Sequence, residues 1–439
     1  MYRKLIEKLK LWKDKKNRMP LILQGARQTG KTWLLKEFGR TCFKDVAYLN
    51  LENFPGAAGL FSGTIEPERI IEFISASHGK KIKPDETLII LDEIQEIPRA
   101  LTSLKYFCEN APEYAVCCAG SLLGIGLHKG TSFPVGKVDM MKLEPMTFEE
   151  FLLANNESGI IEFIRKQGFN KAGEAFFEKL DDYLKKYIII GGMPAAVKAW
   201  AEEHDFSAVQ EKQEAILANY ALDFSKHAPG NIVPRIRHLW DSLPVQLSKE
   251  HKKFVYGHVR EGARSRDYEE ALLWLSDARL IRKISRVSKG ALPLAVYVDM
   301  KAFKLFHLDI GLLRVMCKAD IGSIMLGGNV FEEFKGALAE QYAAQELAST
   351  SFSEGVYYWS SGAEAELDFV ITDGLKIYPV EVKAGINLQA KSLKQFMAKY
   401  DTAGAVRFSM AGLKLDGKTL NIPLFLSFNL ERYIADSGL

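Results

Sequence analysis

A chain of 439 residues is longer than one ordinary domain, and its 47% apolar and 26% charged residues are globular usage, which excludes fibrous and disordered classes. The formal net charge of +3 creates no whole-molecule field that would gather a polyanion, so a nucleic-acid partner must be argued from local clusters. Five cysteines (Cys42, Cys108, Cys117, Cys118, Cys317) lack zinc-site spacing, and the adjacent pair lies in an apolar run, as buried thiols in a reducing cytosol would.

The opening MYRKLIEKLKLWKDKKNR sets apolar residues at helical spacing among charges, so it predicts an amphipathic helix and not a signal peptide. No stretch reaches the roughly 18 uninterrupted apolar residues of a membrane span. A soluble, cytoplasmic protein with no membrane partner is expected. Apolar runs then recur at LILQ (21–24), VAYLNL (46–51), TLIILD (87–92) and YAVCCAG (114–120), with helical segments between them. Such alternation is the α/β signature of a parallel sheet buried on both faces.

The first run feeds GARQTGKT (25–32), which fits G-x-x-x-x-G-K-[ST] and continues into the helical WLLKEF. Gly25 and Gly30 let the backbone curl so that the N–H groups of Ala26, Arg27, Gln28 and Thr29 can face phosphate oxygens. Lys31 would reach the β- and γ-phosphates, and the Thr32 hydroxyl would bind Mg²⁺. In LIILDE (88–93) a buried strand ends in two carboxylates, a costly arrangement unless they serve chemistry. Asp92 would hold Mg²⁺ and Glu93 would orient the attacking water. Ser121, at the end of the next strand, could contact the γ-phosphate or simply cap a helix. Arg27 and Gln28 could meet phosphate or cap local carbonyls. Arg99 reads either as a residue acting on a neighbouring subunit's nucleotide or as a solvated arginine.

From about residue 147 long helical stretches run to the breakers GGMP (191–194), which predicts a helical lid. PRIRHLWDSLPVQL, KKFVYGHV and RDYEEALLWLSDARLI, followed by the strand-like RKISRVS and LAVYVD, read as three helices and a hairpin, the outline of a winged helix. Between Arg235 and Lys289 thirteen Lys or Arg stand against seven Asp or Glu, a local excess of +6. Arg264, Arg266, Arg282, Lys283 and Arg286 are the candidate phosphate contacts of a DNA or other nucleic-acid partner. The same charge also fits a solvated face or a winged helix that docks protein.

The last segment reads α-β-β-β-α-β from about Asn329. Asp368 lies in AELDFVIT, and Glu381 and Lys383 share a face of LKIYPVEVK. A hairpin turning about Asp373 and Gly374 would set Asp368 opposite Pro379 and diagonal to Glu381. An Asp followed by Glu-x-Lys across a hairpin resembles the PD-(D/E)xK nuclease core, with Glu340 and Gln395 at matching places on the flanking helices. That resemblance implies Asp368 and Glu381 as Mg²⁺ or Mn²⁺ ligands, with Lys383 stabilising the hydroxide, and Glu366 could join them. The Pro-Asp dipeptide is missing, and an exposed hairpin without catalysis is the plainer alternative.

As a set, GARQTGKT, LDEIQ (91–95), CAGSLLG (118–124), FPVGKV (133–138), LEPMTFEEF (143–151), GGMP and the terminal LDFV and VEVK resemble prokaryotic AAA-type ATPases that carry a C-terminal domain of uncharacterised function. The resemblance implies an α/β, AAA-type parallel sheet with a helical lid, ATP and Mg²⁺ as cofactors, and Ser121 as sensor. Lys137 stands where many such proteins have an arginine finger, which departs from ring-type hydrolysis. The expected organisation is an ATPase core over 1–150, a lid over 151–230, a winged helix over 231–325 and a restriction-endonuclease-like α/β domain over 326–439. Expected partners are ATP, nucleic acid and a second copy of the chain. Three functions follow: a nucleotide-driven switch on nucleic acid, a nucleotide-gated regulatory protein, or an ATP-gated, metal-dependent nuclease.

Overall fold

The computed structural model describes residues 1–121, 133–166, 174–247, 253–326, 329–362, 365–386 and 390–439. It divides into two units, one of Tyr2–Glu144 with Asp277–Leu280, the other of Met1, Pro145–Ser276 and Ile281–Leu439.

In the first unit, β1 (Leu21–Gln24), β2 (Asp45–Asn50), β3 (Thr87–Asp92), β4 (Ala115–Gly120) and β5 (Asp139–Lys142) form one parallel sheet in the order β2-β3-β4-β1-β5. Because side chains alternate along a strand, the apolar runs supply two cores. Ile22, Ile89, Leu91, Val116 and Cys118 pack on one face with Ile70, Ile74, Leu104 and Phe107. Leu21, Leu23, Leu88, Ile90 and Cys117 pack on the other with Leu34, Leu35 and Phe38 of the helix Lys31–Cys42, and with Leu9 and Trp12 of the opening helix Leu5–Lys13. The adjacent thiols therefore face opposite cores, and burial pushes both pKa values up. All five cysteines are free.

The second unit begins with helices Phe148–Ala154, Ser158–Lys166, Phe177–Ile190, Pro194–Glu203 and Phe206–His227. Thr147 and Glu150 close a capping box at the first of them, an arrangement worth about 1 kcal/mol. Packing explains the GGMP motif: a Cβ on Gly192 would strike the Met146 backbone, and the Gly192 N–H donates to Asp309 Oδ2 at 2.6 Å.

Of the three helices expected after residue 231, Val233–Leu247 and Ser265–Asp277 form. Among the described residues between them, 253–264, the one helical element is a single 3₁₀ turn, Tyr256–His258. Aromatic, β-branched and glycine residues there favour helix weakly, and the Phe254 N–H instead donates to the Phe303 carbonyl at 2.7 Å. Strands β6 (Ile281–Val287) and β7 (Val298–His307) make the hairpin, with β7 running well past the expected LAVYVD.

That hairpin is no separate wing. β6 pairs in parallel with β8 (Tyr357–Ser360), so β6 and β7 form one end of an eight-stranded sheet. The rest is β9 (Glu366–Asp373), β10 (Lys376–Val382), β11 (Ala405–Ser409), β12 (Lys414–Asp416) and β13 (Thr419–Pro423), in the order β12-β13-β11-β10-β9-β8-β6-β7. With helices Asn329–Leu347 and Lys391–Lys399, this contains the anticipated α-β-β-β-α-β order. Val287 and Leu294 share a core with Trp359, Leu367, Val370 and Phe396, so the strand pairing and apolar packing both cross the expected boundary at 325/326. Among the described residues no helix is long and apolar enough to cross a membrane.

Candidate nucleotide site

In an open parallel sheet, ligands bind beyond the carboxyl ends of the strands. The order β3-β4-β1 brings three sequence-distant segments together there: the loop 25–30 after β1, Asp92 ending β3, and Ser121 just past β4. Gly30 takes φ 91° and leads directly into the helix Lys31–Cys42, and Gln28 shares the left-handed region at φ 64°. Gly25 is required by space, since a Cβ there would collide with the Leu143 carbonyl oxygen.

Lys31 is 7% exposed and donates to the Gly25 carbonyl at 3.0 Å and the Ala26 carbonyl at 2.7 Å. These are neutral acceptors, so burial lowers its pKa from the usual 10.5 to about 8, against the opposing pull of Glu93 and Asp92. Asp92, 3% exposed, accepts from Thr32 Oγ1 and from the Tyr48 hydroxyl, each at 2.8 Å on Oδ2. Burial, then Asp92, raises the Tyr48 pKa, so this hydroxyl keeps its proton and serves as a fixed donor. Glu93 adopts φ 51°, strained for a residue with a side chain, and its Oε2 accepts from Gln95 at 2.6 Å. Arg27 Nε donates to Ser121 Oγ at 3.4 Å, which ties the loop to the β4 end. Ser121 is buried; residues 122–124 of the CAGSLLG segment lie outside the described residues.

These groups fit a magnesium nucleotide. Thr32 and Asp92 offer two oxygens within hydrogen-bond distance of each other, and Lys31 rests on carbonyls that an anion could replace as its partner. Sequence reasoning missed three supports. Arg3 reaches from the chain start to donate to the Thr29 carbonyl at 2.8 Å, and also binds the Glu144 carbonyl, bracing the loop backbone. Tyr48 orients Asp92, and Arg279 donates to Gln24 Oε1 at 2.8 Å where β1 enters the loop. The only sequence signal for Arg3 was a charge inside an otherwise amphipathic start.

Residues 17–152 match the family described as AAA domain. The chain carries an AAA-type P-loop ATPase domain. Residues 181–322 and 335–425 match two families, each described as a domain of unknown function (DUF8612 and DUF4143). A search of curated proteins finds no match. Among solved structures the chain is similar to a Walker-type ATPase of Pyrococcus abyssi, at 14% identity and TM-score 0.42, over 71% of this chain and 94% of that one. It is also similar to the Orc1 protein of Aeropyrum pernix in complex with DNA, at 14% identity and TM-score 0.28, over 72% of this chain and 91% of that one. The RuvB Holliday junction branch migration motor of Thermotoga maritima matches at 11% identity and TM-score 0.29, over 67% and 91% of the respective chains.

Elsewhere in the AAA domain, Lys137 pairs with Glu109 at 3.0 Å, and Arg99 donates to the Phe61 carbonyl at 2.7 Å and to the Gly63 carbonyl. Both cations therefore have partners within their own unit.

The terminal unit gathers most of its anticipated acids. β9 and β10 turn about Gly374 and Leu375, with Lys376 opposite Asp373 and Val380 opposite Phe369. Continued one step beyond that pair, the same register would bring Asp368 level with Glu381, which corrects the diagonal placement: the turn lies one residue later than expected. Asp368 Oδ2 accepts from the Val382 N–H at 2.7 Å. Glu381 is buried and pairs with Lys383 at 2.6 Å; burial nonetheless raises its pKa. Burial would lower Lys383, but its bond to Glu381 raises it. Gln395 does not join them: Leu393 and Phe396 are the buried residues of its helix, and Gln395 is exposed. Lys304, unforeseen, does. Among the described residues no group of three or more His, Cys, Asp or Glu is arranged to hold a metal ion.

The basic candidates separate into two classes. Arg282 donates to the His307 and Leu308 carbonyls at 2.9 and 2.6 Å, and Arg286 pairs with Asp299 at 2.5 Å, so both guanidinium groups brace the hairpin. Arg264, Arg266 and Lys283 remain exposed.

Proposed function

We propose that the chain is an ATP-binding, Mg²⁺-dependent ATPase that works as a nucleotide-driven switch on nucleic acid. What carries the reading is the meeting of Lys31, Thr32, Asp92, Glu93 and Ser121 at the carboxyl ends of one parallel sheet. The backbone from Gly25 to Gly30 would cradle the phosphates, and Lys31 would exchange its two carbonyl partners for β- and γ-phosphate oxygens. Thr32 and Asp92 would hold Mg²⁺, with Tyr48 fixing the carboxylate. Bound there, the ion would neutralise charge on the phosphate oxygens. Glu93 would orient a water and take its proton, while the Ser121 hydroxyl and Arg27 would face the departing γ-phosphate.

Nucleic acid is the proposed effector because the +6 excess over residues 235–289 leaves Arg264, Arg266 and Lys283 exposed. ATP turnover measured with and without DNA, using Lys31→Ala as the inactive control, tests the reading. DNA should stimulate turnover, its binding should weaken with salt, and Arg264→Glu, Arg266→Glu and Lys283→Glu together should remove the stimulation. Turnover indifferent to DNA, with binding unchanged by salt and by the triple reversal, would contradict it.

A nucleotide-gated regulatory protein is the second reading. It is favoured by the internal partners of Arg282 and Arg286 and by the Lys137–Glu109 pair. An ATP-dependent change in oligomer size without a DNA effect would select it.

A further inference from the structure

Among the described residues, the carboxylates of the terminal sheet meet a buried lysine. Lys304, on β7 and paired across the hairpin with Ile284, is 0% exposed and projects its ammonium among them. Nζ lies 2.5 Å from Glu366 Oε1, 3.7 Å from Glu340 Oε2 and 4.0 Å from Asp368 Oδ1, and 5.0 Å from the centre of the Tyr358 ring. Three of the four acids in the nuclease-like pattern thus surround one lysine supplied from another part of the chain.

We propose that Lys304 is the resident cation of this carboxylate group, taking the place a divalent ion would occupy, so that the terminal domain binds no catalytic metal while the β6–β7 hairpin is part of its sheet. An ammonium wholly removed from water is tolerated only where negative charge surrounds it. Burial alone would lower its pKa, yet Glu340, Asp368 and Glu366 more than reverse that and hold the lysine charged. Glu366 and Asp368 alternate on β9 and share one face, and the helix Asn329–Leu347 brings Glu340. Glu381, the fourth acid, is already matched by Lys383. Each cationic place is therefore filled by the chain's own lysine, and the nuclease-like arrangement becomes a lock between hairpin and terminal domain. The inference is independent of the ATP reading.

Mn²⁺ binding to the full chain, followed by electron paramagnetic resonance, tests it. All variants carry Asp92→Ala, so that the nucleotide site lacks the carboxylate proposed to hold its metal ion. The parent should show no Asp368-dependent Mn²⁺ binding. Lys304→Met should gain at least about tenfold in Mn²⁺ affinity, and adding Asp368→Asn should abolish the gain. Lys304→Arg, which keeps the charge, should behave like the parent. If Lys304→Met does not fold, the parent alone still decides: a melting temperature unmoved by Mn²⁺ supports the proposal. A rise that Asp368→Asn removes, or loss of Mn²⁺ binding on replacing Lys304, overturns it.

Discussion

Two buried lysines, one in each unit, differ in what surrounds them. Lys31 rests on two backbone carbonyls, and desolvation lowers its pKa to about 8. Lys304 lies among Glu340, Glu366 and Asp368, and its pKa is raised. A desolvated cation whose hydrogen-bond acceptors are neutral gains by meeting an anion; one already enclosed by carboxylates has nothing further to gain. The contrast separates a site built to receive a ligand from one that the chain completes itself, although both present a lysine near paired acids.

The largest expected effect falls on the completed site. Lys304→Met leaves three carboxylates without their cation and should cost about 3–5 kcal/mol in chemical denaturation of the unit that carries it. A change within 0.5 kcal/mol, roughly the level of an ordinary surface substitution, would place Lys304 outside the network. At the receptive site, Gly25→Ala forces a methyl against the Leu143 carbonyl, and about 1–3 kcal/mol of overpacking should appear as about 5- to 150-fold weaker ATP binding in calorimetry. Unaltered affinity would mean that the loop relaxes freely.

The pH dependence sharpens the contrast. Burial depresses the pKa of free Lys31, so its uncharged form accumulates above about pH 8, whereas a phosphate anion favours the charged form. ATP affinity should thus be full below pH 8 and about tenfold weaker at pH 9, and a flat titration would remove the desolvated lysine from the account. The smallest effect expected is at Arg3→Ala, which removes two bonds to loop carbonyls and should weaken ATP about five- to tenfold through roughly 1–1.5 kcal/mol. Its check is the same calorimetric isotherm, with protein stability measured in parallel.

The legible part of the molecule was the part whose chemistry is contiguous. GARQTGKT sets a glycine turn and its functional groups at the start of a helix and LIILDE ends a strand in two acids, each within eight residues, and residues 21–23, 88–91 and 115–119 alternate between two cores by period-two geometry. What sequence left open is pairing between distant segments. RKISRVS reads as a strand, but nothing in it says that β8 will be its neighbour, and so from sequence the hairpin reads as a separate wing. Lys304 lies 62 positions before Glu366, and only the strand order makes them partners. The β9–β10 register was misplaced because the turn centres on Gly374 and Leu375, one residue past the Asp-Gly pair that turn chemistry favours. Helical phase accounts for Gln395: two residues from Leu393, it falls about 200° around the helix, on the exposed side.

Everything functional rests on Lys31 exchanging carbonyls for phosphate. Calorimetric titration of the full chain with ATP and Mg²⁺, wild type beside Lys31→Ala, measures that exchange directly. A saturable isotherm is expected for the wild type and none for a folded Lys31→Ala protein. Equal binding by both, or none by a folded wild type, would contradict it.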